Sequence, residues 1–159
     1  MSRIVPNFLV CGPPKCASTS LYFYLKQHPE IFMSTVKQTR FFSVYFDKGA
    51  DWYVSNYFAG AENKKMAGEA TPTYGLLPFV AERIKKYNPE MKLVFCFRNP
   101  VERAFSGYMM RVNNGTEHLP FREALEENFR QRETIRFETE ADAAMWAEDM
   151  KRGDRNDET

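Results

Sequence analysis

Three short segments of the 159-residue chain gather side chains able to bind anions or move protons. The first is Gly12-Pro13-Pro14-Lys15-Cys16-Ala17-Ser18-Thr19-Ser20, set between an apolar run and an amphipathic one. At a strand-to-helix junction, backbone N–H groups, the helix dipole, a lysine and paired hydroxyls would converge on a phosphate. The pattern is not GxxxxGK[ST], because the lysine precedes the helix and no glycine stands directly before it. The plain alternative is an ordinary turn with a surface lysine. The second segment is Arg98-Asn99-Pro100-Val101-Glu102-Arg103-Ala104-Phe105-Ser106-Gly107-Tyr108. Here a guanidinium fork and a hydroxyl suit another anion, or Arg98 simply pairs with a carboxylate while Ser106 is satisfied inside a helix. The third is Gly68-Glu69-Ala70-Thr71-Pro72-Thr73-Tyr74. A carboxylate at a strand end can take a proton from a hydroxyl, or bond within its own turn to Thr71.

These groups need a scaffold. Residues 4–11 read as a buried strand that ends at Gly12-Pro13-Pro14. Residues 18–28 read as a helix with apolar Leu21, Tyr24 and Leu25 on one face, stopped by Pro29. Residues 92–97 are a continuous apolar run, as expected for a strand covered on both faces. Asn99 is a good N-cap and Pro100 suits a first helical position; Phe105, Tyr108, Met109 and Val112 then recur at helical spacing up to Asn113-Asn114-Gly115. A short strand at 66–70 and a helix from about 76 to 87 lie between the two units. Alternating strands and helices predict a three-layer α/β fold around a central parallel sheet, with ligands beyond the carboxyl ends of the strands.

Composition narrows the function classes. The 22 Lys+Arg and 21 Asp+Glu give a net charge of +1, but residues 1–116 carry 15 against 8, and residues 117–159 carry 7 against 13. The first segment, at net +7, can welcome an anion, yet its basic residues are dispersed among apolar ones, so no nucleic-acid stripe is expected. The second is acidic and helical in pattern, with Phe121, Leu125 and Phe129 spaced by four and a capping-box match from Thr139 to Asp142. The expected division is therefore a nucleotide-binding core over 1–116 and a charged helical segment with a polar tail over 117–159. Mean hydropathy is −0.54 and no apolar run is long enough for a membrane span. No signal peptide is visible. Cys11, Cys16 and Cys96 show no CxxC spacing and stand beside only two histidines, which argues for reduced thiols, a cytoplasmic location and no metal site. Half of the 24 aromatics fall between Tyr22 and Phe58, as packed core or as the wall of an acceptor cleft.

The first two segments together resemble the PAPS-dependent sulfotransferases. Lys15-Cys16-Ala17-Ser18-Thr19, leading to Leu25 and His28-Pro29, is similar to the family's 5′-phosphosulfate loop, although the family commonly has a small residue and then glycine at Cys16 and Ala17. Arg98-Asn99-Pro100 with Arg103 and Ser106 looks like its 3′-phosphate motif. Glu69-Ala70-Thr71-Pro72-Thr73-Tyr74 and Lys37-Gln38-Thr39-Arg40-Phe41-Phe42 resemble the heparan sulfate and bacterial branch. The resemblance covers roughly residues 4–112. It implies a P-loop-like fold, incomplete on its C-terminal side, that moves a sulfuryl group from PAPS to an acceptor hydroxyl and leaves PAP, with no metal. Lys15, Cys16, Ala17, Ser18, Thr19 and Ser20 would hold the 5′ side, Arg98 and Ser106 the 3′-phosphate, and Lys37, Arg40 and Tyr74 the acceptor. Glu69 would be the general base and Lys15 the catalytic cation. A carbohydrate-like acceptor is slightly favoured, and a partner or missing C-terminal part would complete the nucleotide site. A P-loop-like nucleoside or small-molecule kinase and a truncated nucleotide-binding module without activity are the alternatives.

Overall fold

The computed structural model describes residues 6–132. Strand β1 (Phe8–Cys11) is buried along its whole length, because it lies inside a four-stranded sheet ordered β2-β3-β1-β4. Its neighbours are β3 (Met66–Ala70) and β4 (Lys92–Phe95), and β2 (Ile31–Met33) pairs with the outer side of β3. All three pairings are parallel, as the alternating pattern predicts. Val10 stands opposite both Ala70 and Val94, so the carboxyl ends of the three strands open on one rim of the sheet.

The period-two alternation of β1 sorts its side chains between two cores. Phe8 and Val10 pack with Tyr22, Met33 and Ala70 beneath helix α1 (Ser18–Lys26). Leu9 and Cys11 face the opposite layer, built from Phe41, Phe42, Tyr53, Phe58, Val80 and Ile84. That layer includes α2 (Ala50–Tyr57) and α3 (Pro78–Tyr87), so the sheet lies between helices on both faces. Gly68 lets β1 and β3 approach: a Cβ there would overlap the Phe8 carbonyl oxygen and come within 2.6 Å of the Phe8 ring.

Several sequence expectations shift in detail. Helix α1 ends at Lys26, and its inward aromatic is Tyr22 rather than Tyr24, which is exposed. Tyr22 is held there by donating its hydroxyl to the Ser34 carbonyl at 2.7 Å, a tie that Tyr24 lacks. The aromatic run after residue 40 forms core: Phe41 stacks on Tyr53 with centroids 4.0 Å apart. A short 3₁₀ turn (Pro72–Leu76) separates β3 from α3.

Strand β4 departs most from expectation. Both of its faces are partly open, with Leu93 46%, Val94 40% and Phe95 46% exposed. It forms an edge of the sheet as described, and the apolar run that reads as a doubly covered strand is only partly covered, with Leu93 and Phe95 facing the turn after β3 and the start of α3. Helix α4 (Pro100–Asn113) follows as expected, and the Asn99 side chain caps it by accepting from the Val101 and Glu102 amides. Helix α5 (Phe121–Arg132) returns against α4, with Phe121 edge-on to Phe105 and Tyr108. The capping-box match from Thr139 to Asp142 lies outside the described residues.

Candidate functional site

The loop between β1 and α1 curls in a way that only backbone strain can produce. Gly12, Lys15 and Ala17 all have positive φ, at 116°, 69° and 63°. Gly12 is irreplaceable on two counts, since an added Cβ would also lie 2.8 Å from the Cys96 carbonyl oxygen. Two left-handed non-glycine residues flank Cys16, and left-handed residues of this kind recur in the backbone nests that bind anions. Cys16 is buried at the loop's centre with its thiol near the Pro14 carbonyl (3.9 Å), which explains a small apolar residue at that position. Ala17 sits at the N-cap of α1 and no side chain caps the helix, so its first amides are left for a ligand. Thr19 and Ser20 are exposed in that first turn, while Ser18 is buried.

The second anion segment starts from the adjacent strand on the same rim. Arg98 follows β4 and, in this state, its Nε bonds the Glu102 carboxylate at 3.1 Å, an exposed pair one helical turn apart. The alternative reading of Arg98, a carboxylate partner, is thus realised, but a pair this exposed contributes little and is easily exchanged for an anion. Ser106 lies half-buried two turns into α4.

Between the phosphate loop and the α4–α5 pair lies a cavity of about 400 Å³. Lys15, Arg103 and Arg111 line it among apolar groups that include Tyr108, Phe121 and Phe129. Arg111 is bound to the buried Glu117 carboxylate at 2.5 Å, whereas Lys15 and Arg103 have no ion-pair partner among the described residues. Arg103, Gly107 and Arg111 recur every fourth residue, so helical spacing alone could have placed them on one face, a signal that motif matching passed over.

Glu69 is fully buried. Its side chain is 0% exposed, and both carboxylate oxygens already accept hydrogen bonds. Oε1 receives the Tyr53 hydroxyl at 2.7 Å and the Tyr74 hydroxyl at 3.0 Å. Oε2 receives the Thr71 hydroxyl at 2.6 Å and the Thr39 amide at 3.2 Å. The plain reading, a carboxylate bonded back to Thr71, describes this half of the arrangement, through the hydroxyl rather than the amide. Burial and then the Glu69 charge push both tyrosines well above their ordinary range, so they stay protonated as donors. The same two causes push the Cys11 thiol up to about 12. Tyr74 is buried as well, and its hydroxyl also accepts from the Phe42 amide. Tyr53 and Thr39 complete this cluster from distant sequence positions, and no local pattern announced them.

The segment 37–40 lies on the same rim, because the Gln38 amide donates to the Ala70 carbonyl at the end of β3. Lys37 is half-buried there, and burial holds its ammonium below the usual lysine range. Gln38 and Arg40 both have left-handed backbones, with φ of 62° and 54°.

No family model matches the sequence. Individual proteins do. Over 110 residues the chain is 38% identical to the membrane-associated sulfotransferase kil1 of Dictyostelium discoideum, a match spanning 68% of this chain and 23% of that protein. It is 31% identical over 119 residues to the human bifunctional heparan sulfate N-deacetylase/N-sulfotransferase 2, covering 70% of this chain and 13% of the relative. A heparan sulfate glucosamine 3-O-sulfotransferase 6 from mouse is 30% identical over 123 residues, covering 77% and 35%. The crystal structure of a sulfotransferase from Alicyclobacillus acidocaldarius superposes with a TM-score of 0.70 at 36% identity, covering 80% of this chain and 60% of that one. The chain belongs to the sulfotransferase family.

The sulfotransferase segment seen here spans well under half the length of these curated relatives. Within it, the positively curled loop, the uncapped α1 terminus and Arg98 share one rim of the sheet. Among the described residues no helix is long and apolar enough to cross a membrane, and no cluster of metal-ligating side chains occurs.

Proposed function

We propose that this chain binds PAPS across the sheet rim and transfers its sulfuryl group to an acceptor hydroxyl, releasing PAP. The observation that carries the reading is the loop itself: left-handed Lys15 and Ala17 around a buried Cys16, opening directly onto uncapped helix amides. Those residues fit a 5′-phosphate, since amides and a lysine are the donors that a phosphate ester requires. PAPS supplies an activated sulfuryl group on a good leaving phosphate. Lys15 neutralises the charge that builds on the bridging oxygen, and the amides and hydroxyls of Ser18, Thr19 and Ser20 hold the phosphate without rearrangement. Arg98 swings from Glu102 to the 3′-phosphate, joined by Ser106. By analogy with phosphoryl transfer, a loose transition state leaves the protein mainly positioning and electrostatics to supply. That lightens the demand for a base: the acceptor hydroxyl gives its proton to solvent water as the new S–O bond forms and the S–O bond to the leaving phosphate breaks, and Glu69, sealed beneath four donors, is not assigned the part.

The acceptor reading is a glycan. The cavity beside Lys15 pairs the cations Lys15 and Arg103 with the aromatic faces of Tyr108, Phe121 and Phe129, a surface suited to an anionic sugar chain. The two heparan sulfate relatives support this choice. The cytoplasmic location rests on the free thiols of Cys11, Cys16 and Cys96, and fractionation of the native protein tests it against the membrane association in kil1's name.

Replacing Lys15 with Ala tests the central assignment. Turnover of PAPS with heparan sulfate as acceptor should fall by about 100-fold or more, the usual loss when one group stabilising the transition state is removed. Unchanged turnover would remove Lys15 from the chemistry.

A further inference from the structure

The strongest arrangement that the reaction does not yet use is the buried cluster under residues 37–40. Four donors converge on one carboxylate: the Tyr53 hydroxyl from α2, the Thr71 and Tyr74 hydroxyls from the turn after β3, and the backbone amide of Thr39. The cluster reaches further along the same segment. Tyr74, itself on Glu69, accepts from the Phe42 amide at 3.1 Å, and the Thr39 hydroxyl accepts from the Phe41 amide at 3.3 Å. Three backbone amides within four residues therefore connect to Glu69: Thr39 directly, Phe42 through the Tyr74 hydroxyl, and Phe41 through the Thr39 hydroxyl, which lies 3.4 Å from that of Tyr74.

That segment needs holding. Gln38 and Arg40, on either side of Thr39, both sit in the left-handed region, where the crowding of Cβ against the following carbonyl disfavours any residue but glycine. Such conformations persist only where the surroundings over-determine them. The Gln38 amide also ties the segment to the carboxyl end of β3, next to the end of β1 that launches the phosphate loop. Lys37 is thereby carried to the rim on a strained turn that the Thr39 amide anchors in the core on Glu69.

We propose that Glu69 is a positioning residue: it clamps the 37–40 turn against the sheet rim and so fixes where Lys37 and Gln38 stand beside the phosphate loop. It replaces the proton-acceptor role that the motif suggested. The catalytic consequence rests on the sulfotransferase reading above, whereas the clamp itself does not. A turn released by even 1 Å would cost turnover up to about 100-fold.

Amide-resolved NMR on the full chain tests the clamp in Glu69→Gln, which keeps the shape but turns one acceptor oxygen into a donor. The Thr39, Phe41 and Phe42 amides should shift and lose exchange protection by about 10-fold or more, while β1 and β3 amides stay protected. Tyr74→Phe should reproduce the change most strongly at Phe42, with a smaller one at Phe41, because its hydroxyl accepts from the Phe42 amide and also meets the Thr39 hydroxyl, while the Thr39 amide, bonded directly to Glu69, should hold. Calorimetric titration with PAP should give the same affinity in Glu69→Gln as in the parent. Unchanged 39–42 amides, or protection lost evenly across the sheet, would overturn the clamp. Failure of the parent chain to bind PAP would instead overturn the sulfotransferase reading and leave the clamp standing.

Discussion

Ala17 shows how far a single residue departs from what its position asks. It occupies a left-handed N-cap at φ 63°, where glycine fits at no steric cost and alanine does not. The resemblance to a glycine-bearing loop made this strain legible in the sequence, and the structure shows that the backbone keeps the curl regardless. Ala17→Gly should therefore relieve strain and raise stability by a few tenths to about 1 kcal/mol, offset by the added freedom of the unfolded chain. A thermal melt checks it: a lower midpoint would mean that the loop relaxes away from this conformation. Glu69 teaches the opposite lesson. Its sequence neighbourhood suggested reactivity, but the residues that seal it, Tyr53 and Thr39, come from 16 and 30 positions away. Only the fold brings them together, so a local motif could not distinguish a base from a buried anchor.

At the scale of elements, strand and helix types were legible wherever a strong period or a cap marked them. Asn99-Pro100 announced α4, and its cap forms as expected. The run at 66–70 announced β3. Strand β2 and helix α2 were not readable, because their aromatic residues serve a core shared with α3 rather than a face of their own element. The apolar run at β4 was read correctly as strand, but among the described residues its cover is only partial, since coverage depends on elements that a period cannot see. Open Leu93, Val94 and Phe95, with Phe97 at 76% exposure beyond them, form a continuous apolar edge of the kind that natural sheets normally cover or pair. The β1–β3 contact makes a sharper demand. Gly68→Ala would force a methyl into the Phe8 carbonyl and ring and push the strands apart, costing about 1–3 kcal/mol or more as overpacking does. Urea unfolding measures this directly, and a stability within 0.5 kcal/mol of the parent, the size of an ordinary surface change, would show that β3 can shift without loss.

For the whole molecule, the near-neutral charge conceals a division that the fold puts to use. The net +7 over residues 1–116 includes the rim carrying Lys15, Lys37 and Arg98, all near the carboxyl ends of parallel strands. In open α/β sheets that rim is where ligands bind, so charge and topology agree on one location. The central claim is that this rim reads two phosphates on one nucleotide, one at the Lys15 loop and one at Arg98 and Ser106. Titration calorimetry with PAP and with adenosine 5′-phosphate, in the parent chain and in Arg98→Ala, tests it most directly. PAP should bind about 10-fold to 100-fold more tightly than the nucleotide lacking the 3′-phosphate, as one or two charge-assisted hydrogen bonds would give, and Arg98→Ala should abolish the difference. Equal affinity for the two nucleotides in the parent chain would contradict the account.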